Sequence, residues 1–153
     1  MQSKREKGLA FQRWIKKWME GRGWIVRNFS SVPKMIRRKN PKTGLLEIRF
    51  VSLKQDCFGA DLVCRQFDYV FNTGRLYWIQ ATLDSNIKRK VDEFKKHFKN
   101  TLDGESIQIW IKNKKGEINI KEVIVFNKDV SVRDLGKIIR GKIFYTERPN
   151  HKI

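Results

Sequence analysis

Two short runs constrain this chain most: Asp61–Gln66 (DLVCRQ) and Leu76–Thr82 (LYWIQAT), both β-prone and rich in apolar residues on alternate and adjacent positions. Such runs read as buried central strands, which need cover on both faces. Thr73-Gly74 forms part of the turn between them. Cover is supplied at once. Asp84 or Ser85 can cap a helix running to about Asn100, with Ile87, Val91, Phe94 and Phe98 striping one face. Lys88, Arg89, Lys90, Lys95, Lys96 and Lys99 occupy most of the remainder.

The flanks extend the pattern. From Ser3 to Glu20, residues Phe11, Trp14, Ile15, Trp18 and Met19 recur at helical spacing. Ser3 and Glu6 make a capping-box pair, and Gly21 and Gly23 end the helix. Trp24–Phe29 alternates as a strand. Ser30–Gly44 carries Pro33, Pro41 and the cations Lys34, Arg37, Arg38, Lys39 and Lys42, and reads as a loop or extended arm. Leu45–Leu53 is a further strand. Ser106–Lys112 and Ile118–Phe126 are two more, around a turn at 114–116, and Ser131 caps a short last helix to Arg140. The expected fold is α/β, a mixed central sheet flanked by helices, in one domain over 1–153. Its core spans about 3–126, and a basic C-terminal helix and tail fill 131–153.

Charge narrows the partner. Thirty-four Lys and Arg stand against 16 Asp and Glu, a net charge of +18 in 153 residues. That excess repels itself until a polyanion neutralises it, and nucleic acid is the usual one. An anionic membrane is the rival, but no stretch is apolar for long enough to span a bilayer. MQSKREKG lacks the apolar region of a signal peptide, so the expected compartment is the cytoplasm. Cys57 and Cys64 complete no metal pattern, and Cys64 reads as a small core residue.

The chemistry concentrates in KQDCFGAD (54–61) and IQAT (79–82). Gln80 and Thr82 point to one face of their strand, and an adjacent strand beginning at Asp61 would bring the three together. A carboxylate and an amide oxygen are hard ligands that suit Mg²⁺ or Mn²⁺. Such an ion polarises a phosphodiester and acidifies an attacking water. An aspartate after Gly59 also suits a plain turn cap, and Asp56 is equally a turn former.

These two stretches, with the opening Lys7-Gly8…Gln12-Arg13…Gly23-Trp24-Ile25-Val26-Arg27, resemble the PD-(D/E)xK nuclease superfamily of restriction endonucleases and archaeal Holliday-junction resolvases. The resemblance covers about residues 5–100 and implies a restriction endonuclease-like sheet. It makes Asp61 the metal-binding aspartate, Gln80 the stand-in for the motif's second acid and Thr82 the stand-in for its lysine. Gln12 lies where resolvases commonly carry glutamate. Lys54 or Lys88 is then the candidate replacement cation, and Asp56 or Glu6 the replacement acid. The implied activity is metal-dependent cleavage of duplex or branched DNA, with a homodimer as the common arrangement for cutting two strands. Lys34, Arg37, Arg38, Lys39, Lys88, Arg89 and Lys90 are the expected nucleic-acid contacts. A nuclease-derived binding module without catalysis, and an RNA-binding accessory protein, are the alternatives.

Overall fold

The computed structural model describes residues 2–29, 32–53, 57–68, 70 and 73–146. Helix α1 (Lys4–Glu20) starts at the Ser3 capping box, where Glu6 N–H donates to Ser3 Oγ and Ser3 N–H to Glu6 Oε2. It ends at Gly21, and Gly23 follows with a φ of +88°. Phe11, Ile15 and Met19 are fully covered, each burial contributing about 1.5–3 kcal/mol.

Among the described residues nine strands follow: β1 (Ile25–Asn28), β2 (Val32–Lys39), β3 (Leu46–Leu53), β4 (Leu62–Asp68), β5 (Thr73–Thr82), β6 (Glu105–Lys112), β7 (Ile118–Phe126), β8 (Asp129–Ile139) and β9 (Lys142–Tyr145). Helix α2 (Lys88–His97) lies between β5 and β6. Seven strands form one sheet in the order β1-β4-β5-β6-β7-β8-β9. Only β5 and β6 run parallel among these neighbours, because α2 carries the chain back across the sheet between them. The fold is mixed α/β.

Strand alternation divides the interior in two. Tyr77 and Ile79 of β5 join Phe11, Ile15, Leu62, Cys64 and Trp110 beneath α1. Trp78 packs on the opposite face, against Phe94, Ile107, Ile109 and Val123 beneath α2. That two-sided demand is why β5 is apolar on successive residues. The sheet bends around α1, since Leu135 and Ile138 of β8 reach the same core and Trp18 Nε1 donates to Gly141 O, 3.2 Å away, in the β8–β9 turn.

Several sequence expectations are corrected. Of the arm expected at 30–44, Val32–Lys39 is strand β2, paired along its whole length with β3 from Val32↔Leu53 to Lys39↔Leu46. The pair forms a separate two-stranded ribbon, where Pro33 is tolerated on an edge. Thr73-Gly74 belongs to β5 rather than to a turn. Helix α2 starts at Lys88 after Ile87, which gives no side-chain cap, so neither Asp84 nor Ser85 caps it. The helix expected over 131–140 is strand β8, paired with β7 from Ile118↔Ile138 to Phe126↔Asp129.

Candidate functional site

Asp61 is delivered by a tight turn. Cys57 and Ala60 exchange backbone hydrogen bonds of 3.2 and 2.9 Å, with Phe58 and Gly59 between them at φ +54° and +86°. Two successive positive φ values are the pattern of a type I′ turn, which Gly59 adopts without penalty and Phe58 does not. A Cβ on Gly59 would also press within 3.4 Å of Glu93 and Phe94 of α2.

Three bonds then fix Asp61. Its N–H donates to Ile79 O at 2.9 Å, its carbonyl accepts from Phe29 N–H at 2.7 Å, and its Oδ2 accepts from Ala81 N–H at 3.0 Å. The register Leu62↔Ile79, carried one step outward, sets Asp61 across from Gln80. Strand alternation turns both toward the α2 face, opposite Leu62 and Ile79. Asp61, Gln80 and Thr82 are buried at 3%, 8% and 7% exposure on the same face of the sheet. Sequence spacing anticipated that shared face.

Thr82 has a local task as well. Its Oγ1 accepts Asp84 N–H, Asp84 Oδ1 accepts Asn86 N–H, and Asn86 Oδ1 accepts Lys88 N–H. This relay of side-chain turns leads β5 into α2 and places Lys88, Arg89 and Lys90 at the helix start. The first turn of α2 has no acidic residue to offset them. Arg37, Arg38 and Lys39 are exposed along β2, far from any need of the core. Lys54 and Asp56, and the side chain of Lys34, lie outside the described residues.

Among the described residues, no three His, Cys, Asp or Glu side chains gather as a metal group. The donors at hand are one carboxylate, with one oxygen already accepting an amide N–H, and one carboxamide. Mg²⁺ keeps several waters and accepts as few as one or two carboxylates, so this pair fits a hydrated ion with modest charge attraction.

Two features escaped the sequence reading. Phe58, half exposed, stands edge-on to Trp78 at 5.4 Å and Phe98 at 6.1 Å, making an aromatic rim beside Asp61. Its only signal was an aromatic next to the turn glycine. The second is a buried polar relay on the α1 face. Trp110 Nε1 donates to Gln108 Oε1, Gln108 Nε2 to Ser106 Oγ, and Ser106 Oγ to Glu122 Oε2 at 2.6 Å. Arg133 holds Glu122 Oε1 through Nε and Nη2 at 2.8 and 2.5 Å. Each link is satisfied, which locks β6, β7 and β8 in register rather than leaving a reactive group. The alternating Ser, Gln and Trp of SIQIWIK were its trace.

Fold and site together define a mixed α/β protein with the buried Asp61–Gln80 pair on the α2 face of its sheet and three cations at the start of that helix. No known protein family matches this chain, no curated protein is similar to it, and no solved structure matches its fold. Among the described residues, no helix is long and apolar enough to cross a membrane.

Proposed function

We propose that this is a DNA-binding phosphodiesterase of PD-(D/E)xK type, an endonuclease or junction resolvase-like protein that acts with Mg²⁺ or Mn²⁺. The observation that carries the reading is the burial of Asp61 directly across from Gln80 on the face that α2 borders with Lys88, Arg89 and Lys90. Asp61 and Gln80 would hold the ion, which supplies charge neutralisation at the phosphate and an acidified water. Ala81 N–H fixes the Asp61 carboxylate, so its orientation is set before substrate arrives. Lys54 and Asp56 are proposed to support phosphate and water, and the hydroxyl proton of Thr82 remains able to donate.

Binding is assigned to the cationic surface. Lys34, Arg37, Arg38 and Lys39 lie along the β2–β3 ribbon, and a two-stranded ribbon has the width that the DNA major groove admits. Lys88, Arg89 and Lys90 add phosphate contacts at the start of α2. Duplex or branched DNA is the favoured partner.

Asp61→Asn is the decisive variant, because asparagine keeps an oxygen for Ala81 N–H while losing the charge. Nicking of duplex and branched DNA with Mg²⁺ or Mn²⁺ is expected to fall by at least a hundredfold, with salt-sensitive DNA binding and melting temperature retained. Wild-type protein that cuts none of these substrates with either ion defeats the enzymatic assignment.

One observation favours a second reading, a nuclease-type module that binds without cutting: Asp61 Oδ2 already accepts from Ala81 N–H, and Thr82 Oγ1 from Asp84 N–H. Titration calorimetry with Mn²⁺ separates the two, since only the enzyme takes up an ion that Asp61→Asn abolishes.

A further inference from the structure

Where α1 begins, its first turns lean over the ends of β5 and β6 and enclose a cleft of about 500 Å³. Lys4 and Lys7 line it from α1, Lys112 from the end of β6 and Lys114 from the following turn, with Ala10 and Leu83 as apolar lining. Four ammonium-bearing side chains thus border one volume whose described lining holds no carboxylate. Among the described residues, none of the four lysines takes part in an ion pair. Glu6, between Lys4 and Lys7 in sequence, has its carboxylate on the Ser3 amide.

Three physical facts make this more than a scatter of surface lysines. Lys112 is held along the protein, its Nζ 5.8 Å from the ring centroid of the buried Phe11. The start of α1 adds a partial positive charge to the same place. The volume falls within the range of pockets that hold small ligands rather than single ions. Gathering like charges costs free energy unless an anion shares the space.

We infer that this cleft binds a phosphate group. Leu83 directly follows Thr82, so the cleft opens at the same end of β5 as Asp61 and Gln80 but on the α1 side. A polynucleotide crossing that end of the sheet would place one backbone phosphate near the acid–amide pair and another in the cleft. That placement rests on the DNA-binding reading; phosphate binding by the cleft does not.

The test uses the whole protein in EDTA, with Lys7→Gln/Lys112→Gln as the cleft variant. Lys128→Gln/Lys142→Gln, an exposed pair outside the cleft, is the equal-charge control. DNA affinity is measured by fluorescence anisotropy across salt concentrations, and pyrophosphate uptake by calorimetry. The cleft variant should lower the slope of log affinity against log salt by about 2 relative to the control. Lys7→Arg/Lys112→Arg should restore it.

Loss of pyrophosphate uptake with an unchanged DNA slope would identify a free phosphate compound as the source instead of the polynucleotide. A cleft variant that matches the control in both titrations overturns the inference. Should that double variant melt early, Lys114→Gln in the exposed turn serves in its place, with a slope change of about 1. Neither titration involves cleavage, so a failure here and a failure of the nuclease reading are told apart.

Discussion

Cys64 and Tyr77 face each other across β4 and β5, both without solvent exposure. Burial pushes the Cys64 thiol from 9.0 up to about 12, with Glu20 adding to the rise. Burial also raises the Tyr77 phenol from 10.0 to about 12; Arg75 opposes the rise, and Glu122 and Tyr145 add to it. Both groups are neutral while protonated, so the folded state keeps protons that the unfolded chain releases in alkali. Their contribution to stability is therefore complete below about pH 9 and is lost as pH climbs toward 12. Comparing wild type with Cys64→Ala removes the separate effect of lysine titration. The stability difference should shrink by about 1.4 kcal/mol for each pH unit above 9. A difference that stays constant from pH 8 to 11 would contradict this. The sequence marked Cys64 as core correctly, because it sits in a short apolar strand. It did not reveal that Asp61 Oδ2 bonds a backbone amide, since that depends on how the type I′ turn at Phe58-Gly59 aims the side chain.

Helix α1 was readable to the residue because its signals are local: Ser3 and Glu6 at one end, Gly21 at the other, and an apolar stripe between. Strand β8 was not, and the reason is a single extra residue. The β7–β8 register passes from Lys121↔Asp134 to Ile120↔Gly136, leaving Leu135 as a bulge. Leu135 and Ile138 consequently reach the same core three residues apart, the spacing of a helix. Gly136 belongs to this feature, since a Cβ there would meet Phe144 O at 2.6 Å. Of the β2–β3 ribbon, β3 was legible at Leu45–Leu53 but β2 was not, because Pro33 and Pro41 punctuate it, although the turn between them is well built: Asn40 N–H donates to Leu45 O and Asn40 Nδ2 to Glu47 Oε1. Helix α2 shows the opposite case, a helix without a side-chain cap that opens on three cations, unfavourable against the positive end of its dipole. Lys88→Glu should stabilise the isolated protein by about 1 kcal/mol in denaturant melts and, on the proposed function, weaken DNA binding. Stabilisation without any loss of affinity would remove Lys88 from the interface.

At the scale of the whole molecule, +18 charges on a chain of 153 residues oppose compaction as well as attract a polyanion. Raising salt should therefore lift the melting temperature of the isolated protein and, on the proposed function, loosen a DNA complex. With six or so phosphate contacts, affinity should fall about a thousandfold between about 50 and 200 mM salt. An affinity indifferent to salt would count against the polyanion reading altogether. Composition alone makes the charge excess legible, whereas the cleft at the start of α1 needed the fold, because Lys7 and Lys112 are brought together only by packing. The sheet has one more consequence. It finishes at β1 and β9, each four residues long, and β9 covers only Gly136–Ile139 of β8, so among the described residues the first half of β8 is an open edge. The ribbon, whose eight-residue strands pair only with each other among the described residues, joins that edge as a place where self-adhesion would start in a concentrated sample, and the exposed Arg37, Arg38 and Lys39 are its gatekeepers.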